Sequence, residues 1–530
     1  MTPEQEEFVR GHVERIRPLE RARNLAWWLH ATLGKEEHAQ EVARLSAELE
    51  RIHSNRSEYE RLAAWVEEFR RRGEPSAREV AVLYLDFLGS QKTAEEIEEE
   101  TRLEKEVESE FNNFRGKLRG EPVSDNRIEE ILAKELDGAL RREAWEASKE
   151  IGSRVAGRVL ELVRLRNRVA RRIGFPDHYA LALAQEEMTP DQVTGMMDRL
   201  VELTEVPFRE EKARLDAALA DRFGIASEAR QPWHYADPFF QRAPQVSGPS
   251  LDAFFEGADL VDLAVRTFDG VGLEVRDILA RSDLFARAGK SQHAFSTHVD
   301  RETDDVRVLC NLEPSERWMS TLLHELGHAS YDKHLGRELP FLMRQPAHTL
   351  TTEAIAMLFG RLSTDPEWLV RVAGIAEGVI GPAAREIRAF QRRSMLIFVR
   401  WAGVMVHFER RLYEAPEQDL TGLWWDLVHR YQGVRRPEGR TAPDWAAKLH
   451  LALAPVYYHN YVFGEMMASQ VQRHLSTRGG LVGNAEAGRW LVEGLFRMGA
   501  RKPWNETLRA ITGEPLDPLH FVAQYVDVSP

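Results

Sequence analysis

The sequence predicts a mainly α fold carrying one small β-sheet. Three observations lead to this. The first 150 residues are dense in Glu, Arg, Leu and Ala, with apolar residues recurring at helical spacing. Two short alternating segments interrupt that pattern within residues 292–312. Helical spacing returns after residue 353 and continues nearly to the end of the chain.

Taken in order, helices are expected over Glu36–Phe69, Val80–Leu88 and Ala94–Leu118, with turns at Gly73–Ser76 and Gly120–Val123. The charges on these segments read as solvated faces laced by pairs one turn apart. Trp27 and Trp28 read as core. A long helix follows over Arg142–Ile173, broken at Gly174–Asp177, and another runs from Pro190 to Asp221. Residues 224–250 contain Pro232, Pro238, Pro244 and Pro249 and read as a looser connector ahead of a helical segment over Leu251–Gly270. Strands are expected over Gln292–Val299 and Val306–Leu312, joined by the polar turn Asp300–Asp305. A helix over Met319–His334 comes next, then Ala354–Leu362 and helical stretches over 367–413, 417–431, 443–451, 455–475 and 486–498. Gly479, Gly480 and Pro503 mark breaks. The chain is read as one unit, 1–530, with an N-terminal helical part (1–223), a connector and helical segment (224–291) and a part bearing the hairpin and the motif described below (292–530).

Composition narrows the function classes. The chain has 530 residues, 43% of them hydrophobic, which is ample for a core. Its net charge is −14 and no basic stripe is visible, which argues against a nucleic-acid partner. No apolar stretch approaches the roughly 18 residues a membrane span needs. The first residues are charged and show no apolar core of a signal peptide. Cys310 is the only cysteine, so no intrachain disulfide can form. A soluble, reducing, cytoplasmic setting is expected.

The segment Met319–His334 carries H-E-x-x-H as His324, Glu325 and His328. On a helix, positions four apart lie on one face, so both imidazoles can aim at a common point. Neutral imidazoles are good zinc ligands. Glu325 lies beside the pair, where a base for an activated water is needed. Met319, Leu322, Leu323, Leu326 and Ala329 form an apolar stripe, so the helix is expected to be buried. Buried histidines need partners, and a metal supplies one. Catalytic zinc takes three protein ligands. Glu353, 25 residues beyond His328 and early in a helix, is the candidate third ligand; the bland alternative is a glutamate that favours the helix dipole. Cys310 could close the site as a fourth ligand, but an ordinary buried thiol is the favoured reading.

Residues 448–464 hold a second constellation: Lys448, His450, Tyr457, Tyr458, His459 and Tyr461 in one short segment. Hydrolysis of a peptide builds negative charge on the carbonyl oxygen, and placed donors stabilise it. His450 and a tyrosine hydroxyl suit that task, and Tyr457 and Tyr461, four apart, share a helix face. The alternative is aromatic core packing.

These motifs resemble those of the gluzincin peptidases, in particular the angiotensin-converting-enzyme-like peptidyl dipeptidases and the thimet oligopeptidase/oligoendopeptidase F family. His324-Glu-Leu-Gly-His328 followed by Glu353-Ala-Ile-Ala resembles H-E-M-G-H and E-A-I-G, and the step to Glu353 fits the thimet-like spacing. Gln292-His293-Ala294 lies upstream as C-H-A does in converting enzymes. There the His-Ala edge pairs with substrate backbone, so the resemblance gives His293 and Ala294 a substrate-binding role. Lys448-Leu-His450 resembles K-F-H, which implies that Lys448 grips a C-terminal carboxylate and His450 donates to the oxyanion. His450, Pro455, Tyr457, Tyr461 and Gly464 keep the steps of the oligoendopeptidase F pattern, which implies Tyr461 as the transition-state tyrosine and Tyr457 as a substrate contact, with Tyr458 a rival for either role. The resemblance spans roughly residues 140–510. It implies a large helical ellipsoid split by a deep active-site channel, with N-terminal helices as a lid, one Zn²⁺ ion, and short unfolded peptides as substrates.

The sequence also departs from those families. Trp233-His-Tyr235 places tyrosine where converting enzymes place a carboxylate-binding glutamine. His459-Asn460 stands in place of a pair that includes a chloride-linked arginine. The reading is therefore an oligopeptidase, with release of C-terminal dipeptides as the alternative and a catalytically silent, zinc-stabilised peptide-binding protein as the alternative from another class.

Overall fold

A computed structural model of the chain describes residues 1–73, 77–244 and 251–526. Helices dominate, and two two-stranded antiparallel sheets occur among the described residues. The turn expected over Gly73–Ser76 and the connector end at Pro249 fall largely outside the described residues.

The chain divides into two compact units. The first comprises Met1–Gln91, Pro249–Ala384 and Phe463–Phe521, and the second comprises Lys92–Gly248, Arg385–Val462 and Val522–Pro530. Three of the divisions fall inside helices, Glu377–Glu414, Tyr458–Ser476 and Pro518–Tyr525.

The first unit opens with the helix Pro3–Leu33, started by a capping box between Thr2 and Gln5 and stopped by Gly34 at φ 64°. The run expected over Glu36–Phe69 is two helices, Glu36–His53 and Arg56–Arg72. Asn55 makes the break: its side-chain oxygen accepts the Ser57 and Glu58 N–H groups at 3.1 and 3.2 Å, capping the second helix. Exposed pairs such as Arg44–Glu48 and Arg56–Glu60 sit one turn apart on these helices. Of the two tryptophans read as core, Trp28 is buried with Ala31, Val299 and Leu309, whereas Trp27 is 45% exposed.

The hairpin occurs, shorter than expected. Its strands are Phe295–Asp300 and Asp305–Leu309, with Phe295 opposite Leu309 and a bulge between His298 and Asp300. It packs on the helix Glu316–Lys333. The segment expected as one helix over Leu251–Gly270 is a single 3₁₀ turn, Leu251–Phe254, followed by the helix Leu260–Gly270. Likewise 367–413 divides into Pro366–Arg371 and Glu377–Glu414, parted at Gly374, whose φ of 75° a continuous helix cannot accommodate.

In the second unit the helix from Ala94 ends at Asn113 rather than Leu118, and a second hairpin, Gly116–Leu118 with Glu121–Val123, follows. Gly116 lies against the helix Gly138–Arg172, where a Cβ would come 2.7 Å from the Ala147 carbonyl oxygen, so the close approach fixes a strand there. Thr204 divides the run after Pro190 into Pro190–Leu203 and Glu205–Phe223. The buried Arg141 anchors the proline-rich connector by donating to the carbonyls of Trp233 at 2.8 Å and Tyr235 at 2.9 Å. Asp237 then ties the following turn together, accepting from the N–H groups of Phe239, Gln241 and Arg242 at 2.9–3.2 Å. No helix among the described residues is long and apolar enough to cross a membrane.

Candidate active site

The motif helix Glu316–Lys333 starts at Ser315, whose hydroxyl accepts the Trp318 N–H at 3.3 Å. Its apolar stripe is fully inside: Met319, Leu322, Leu323, Leu326 and Ala329 are each 0% exposed. The helix Thr349–Gly360 crosses it closely. At Gly327, in the middle of the motif, a Cβ would lie 2.8 Å from the Ala356 Cα, so only a glycine lets the two backbones approach this far. The second helix is capped by His348, whose Nδ1 accepts the Leu350 N–H at 2.9 Å. Glu353 consequently sits one turn inside that helix, facing the motif.

The crossing brings the three expected ligands together. Glu353 Oε2 lies 3.7 Å from His324 Nε2 and 3.9 Å from His328 Nε2. One donor atom from each of the three residues falls within 4.8 Å of the others, the one such group found among the described residues. The imidazoles stand at 83° with centroids 4.9 Å apart. Burial drives the His324 pKa down to about 4; burial and the neighbouring His324 drive His328 down to about 3. Both rings are therefore neutral near pH 7, as ligands must be. His328 Nδ1 meets Thr352 Oγ1 at 2.7 Å. A cation held by Nε2 would leave the ring proton on Nδ1, where Thr352 Oγ1 is placed to accept it and so to hold the ring. Two imidazole nitrogens and one carboxylate, with a held second ring nitrogen, fit a catalytic zinc ion.

Glu325 is 8% exposed. Burial, with the Glu353 carboxylate adding to it, pushes its pKa up to about 8, and the Ser296 backbone N–H donating to it acts the other way. The hairpin strand thus fixes the acid beside the ligand pair. Cys310 follows the last residue of the partner strand, Leu309. Its thiol is 0% exposed, and burial raises its pKa well above the usual range, so it is an ordinary buried thiol and no member of the ligand group. His293 and Ala294 precede the first paired residue, Phe295: His293 is exposed and Ala294 half-buried, so the strand expected from Gln292 starts three residues later.

The second constellation lies in the second unit and is described by itself. Lys448 Nζ donates to Gln241 Oε1 at 3.0 Å and faces the rings of Trp401, Tyr458 and Phe239 at 5.2, 5.5 and 5.5 Å. Burial brings its pKa down to about 8. His450 packs beside Tyr458 and Tyr461, with centroids 5.2 and 6.4 Å away, and burial with the Lys448 charge lowers its pKa to about 4. Tyr457 and Tyr461 pack edge-on at 5.2 Å, and both are half-buried. Tyr458 differs: it is 7% exposed and its hydroxyl accepts the Trp401 indole N–H at 2.6 Å. Tyr235 is remote from Lys448 in its bonding, since its hydroxyl meets Lys212 and Asp216. The amide beside Lys448 is Gln241, which sequence reasoning missed because the contact spans 207 residues. Thr352 was equally missed, although it adjoins Glu353.

Comparison with known proteins shows what this chain is similar to. Residues 291–527 match the model of the Peptidase_M2 family, described as angiotensin-converting enzyme. An angiotensin-converting enzyme of Haematobia irritans exigua is 27% identical over 246 residues, 42% of this chain and 40% of that protein. That of Bos taurus is 25% identical over 206 residues, 36% of this chain and 16% of that protein. The angiotensin-converting enzyme-like protein Ace3 of Mus musculus is 22% identical over 225 residues, 40% of this chain and 30% of that protein. The matches thus span less than half the length of these relatives. Over the part that holds both constellations' later residues and all three ligand positions, the chain resembles the angiotensin-converting-enzyme-like gluzincin metallopeptidases.

Proposed function

We propose that this chain is a zinc-dependent peptidase acting on short unfolded peptides. The observation that carries the reading is the triangle of His324 Nε2, His328 Nε2 and Glu353 Oε2, with Glu325 held beside it. Bound there, zinc supplies Lewis acidity that polarises a carbonyl and makes water a better acid. Glu325 takes the proton of the attacking water and passes it to the leaving amine. Its buried place on the motif helix, beside the ligand His324, suits both halves of that task. By the resemblance, His450 and Tyr461 donate to the oxyanion, while Tyr457 and the His293–Ala294 backbone hold the peptide. Tyr458 is 7% exposed and Tyr461 is half-buried, and that greater access supports Tyr461 over its neighbour for the transition-state role.

Between release of C-terminal dipeptides and internal cleavage, two observations favour dipeptide release. The relatives are named as angiotensin-converting enzymes, and Lys448 is paired with the Gln241 amide in an aromatic surround that suits a carboxylate. A peptide series with free and amidated C-termini tests this: amidation should raise KM sharply, and equal rates would favour internal cleavage. The silent zinc protein is disfavoured, because three protein donors beside a positioned acid serve no purely structural site. A cytoplasmic, reducing setting accords with the single cysteine and is proposed with the rest.

A further inference from the structure

Val456 is the residue before the tyrosine group, and it is strained. Its φ is 55°, in the left-handed region that a β-branched side chain enters only when its surroundings hold it there. What holds it is Glu409. The Val456 N–H donates to Glu409 Oε1 at 2.6 Å, and Glu409 is 3% exposed. A carboxylate that deep in the second unit has no place in the mechanism above. Burial pushes its pKa up to about 8, with the Val456 N–H bond and then Arg166 opposing. Three residues on, His459 Nε2 meets Glu186 Oε2 at 2.7 Å and Asn460 donates to the same carboxylate. The segment from Val456 to Asn460 is thus tied at both ends to buried or half-buried acids, and Tyr457 and Tyr461 leave it from the left-handed turn and the first turn of the helix.

We propose that Glu409 is a positioning residue: by holding Val456 in the left-handed conformation it sets the direction in which Tyr457 and Tyr461 leave the backbone. This rests on the peptidase reading, in which those tyrosines contact the reacting peptide. Glu409 itself touches no substrate.

The test uses Glu409→Leu, Glu409→Gln, Val456→Gly and the double variant Glu409→Leu/Val456→Gly in the zinc-loaded full chain. Hydrogen exchange over residues 456–461, zinc content and steady-state cleavage of a fluorogenic peptide are measured together. Glu409→Leu should quicken exchange locally and lower kcat by about 10²-fold, the scale of an ångström's misplacement, with zinc content unchanged. Glu409→Gln, which keeps an acceptor oxygen, should stay near the wild type. The double variant should recover most of kcat, because glycine adopts positive φ without support. If Glu409→Leu does not fold, Glu409→Asp, one methylene short of the bond, carries the same test. Quickened exchange with wild-type kcat would overturn the proposal, as would a kcat loss that Val456→Gly leaves unrepaired. A wild-type chain that holds zinc but cuts no peptide overturns the peptidase reading itself and this proposal with it.

Discussion

Thr352 Oγ1 lies 2.7 Å from His328 Nδ1. The residue before one ligand therefore orients another, and the two ligand helices are linked through the metal group itself. Partners of this kind typically contribute 10–100-fold to metal affinity. Thr352→Val should lower zinc affinity by about that factor in a chelator competition, while Thr352→Ser should stay within a few-fold of the wild type. Equal affinity for Thr352→Val would show that crossing of the helices alone orients His328.

Glu325→Gln should separate binding from chemistry. The amide fills the same space and removes the base, so zinc content should hold while kcat falls by at least about 10²-fold. Metal analysis beside a peptide assay reads both. Retained turnover would remove Glu325 from the base role.

The tyrosines should divide by exposure. Tyr461→Phe should cost about 10²–10³ in kcat, the loss of one oxyanion donor. Tyr458→Phe, whose hydroxyl only accepts from Trp401, should act mainly on stability. The reverse ranking would move the role to Tyr458.

Gly327→Ala tests the crossing. The added methyl would meet the Ala356 Cα at 2.8 Å and the Ile355 carbonyl oxygen at 3.2 Å, both backbone atoms that cannot step aside. Overpacking of this kind costs about 1–3 kcal/mol, and it should push Glu353 away from the histidines. Lower thermal stability together with weaker zinc binding is expected; a variant that loses neither would show that the crossing has slack.

Acid should loosen the first unit through a histidine pair. His12 is 1% exposed and its Nε2 lies 3.3 Å from His53 Nε2, while Arg15 donates to its Nδ1. Burial first, then the positive neighbours, brings His12 down to about 3 and His53 down to about 4. These folded-state values lie below the unfolded value of about 6.5, so the unfolded chain binds protons first. The stability from the neutral pair is complete above pH 6.5 and is lost as pH falls towards 4, by up to about 1.4 kcal/mol per pH unit for each histidine. Denaturant unfolding at pH 7.5 and 5.0, with chelator present so that metal release does not contribute, should show a shallower loss for His12→Leu than for the wild type. Parallel losses would place the acid sensitivity elsewhere.

Much of this was legible from local pattern. The stripe Met319 to Ala329 predicted the buried motif helix, and the i, i+4 rule predicted that both imidazoles face one point. Glu353 could be chosen because helix entry and carboxylate coincide. Boundaries were missed where a cap or a tertiary contact decides: Asn55 splits a run whose apolar spacing is unbroken, and Gly116 becomes a strand because of a helix that follows it in sequence. Gln241 beside Lys448, Thr352 on His328 and Glu409 on Val456 were not legible. Each is a bond between residues 24 to 207 positions apart, and nothing in the residue types alone announces it.

The most direct test of the account is mass spectrometry of a mixed peptide library incubated with the protein before zinc removal, after removal, and after return of one equivalent of zinc. Cleavage that disappears with the metal and returns with one ion per chain, and that Glu353→Ala abolishes, is the predicted result. Cleavage that survives removal of the metal, or a chain that binds one zinc through His324, His328 and Glu353 yet cuts nothing, would contradict it.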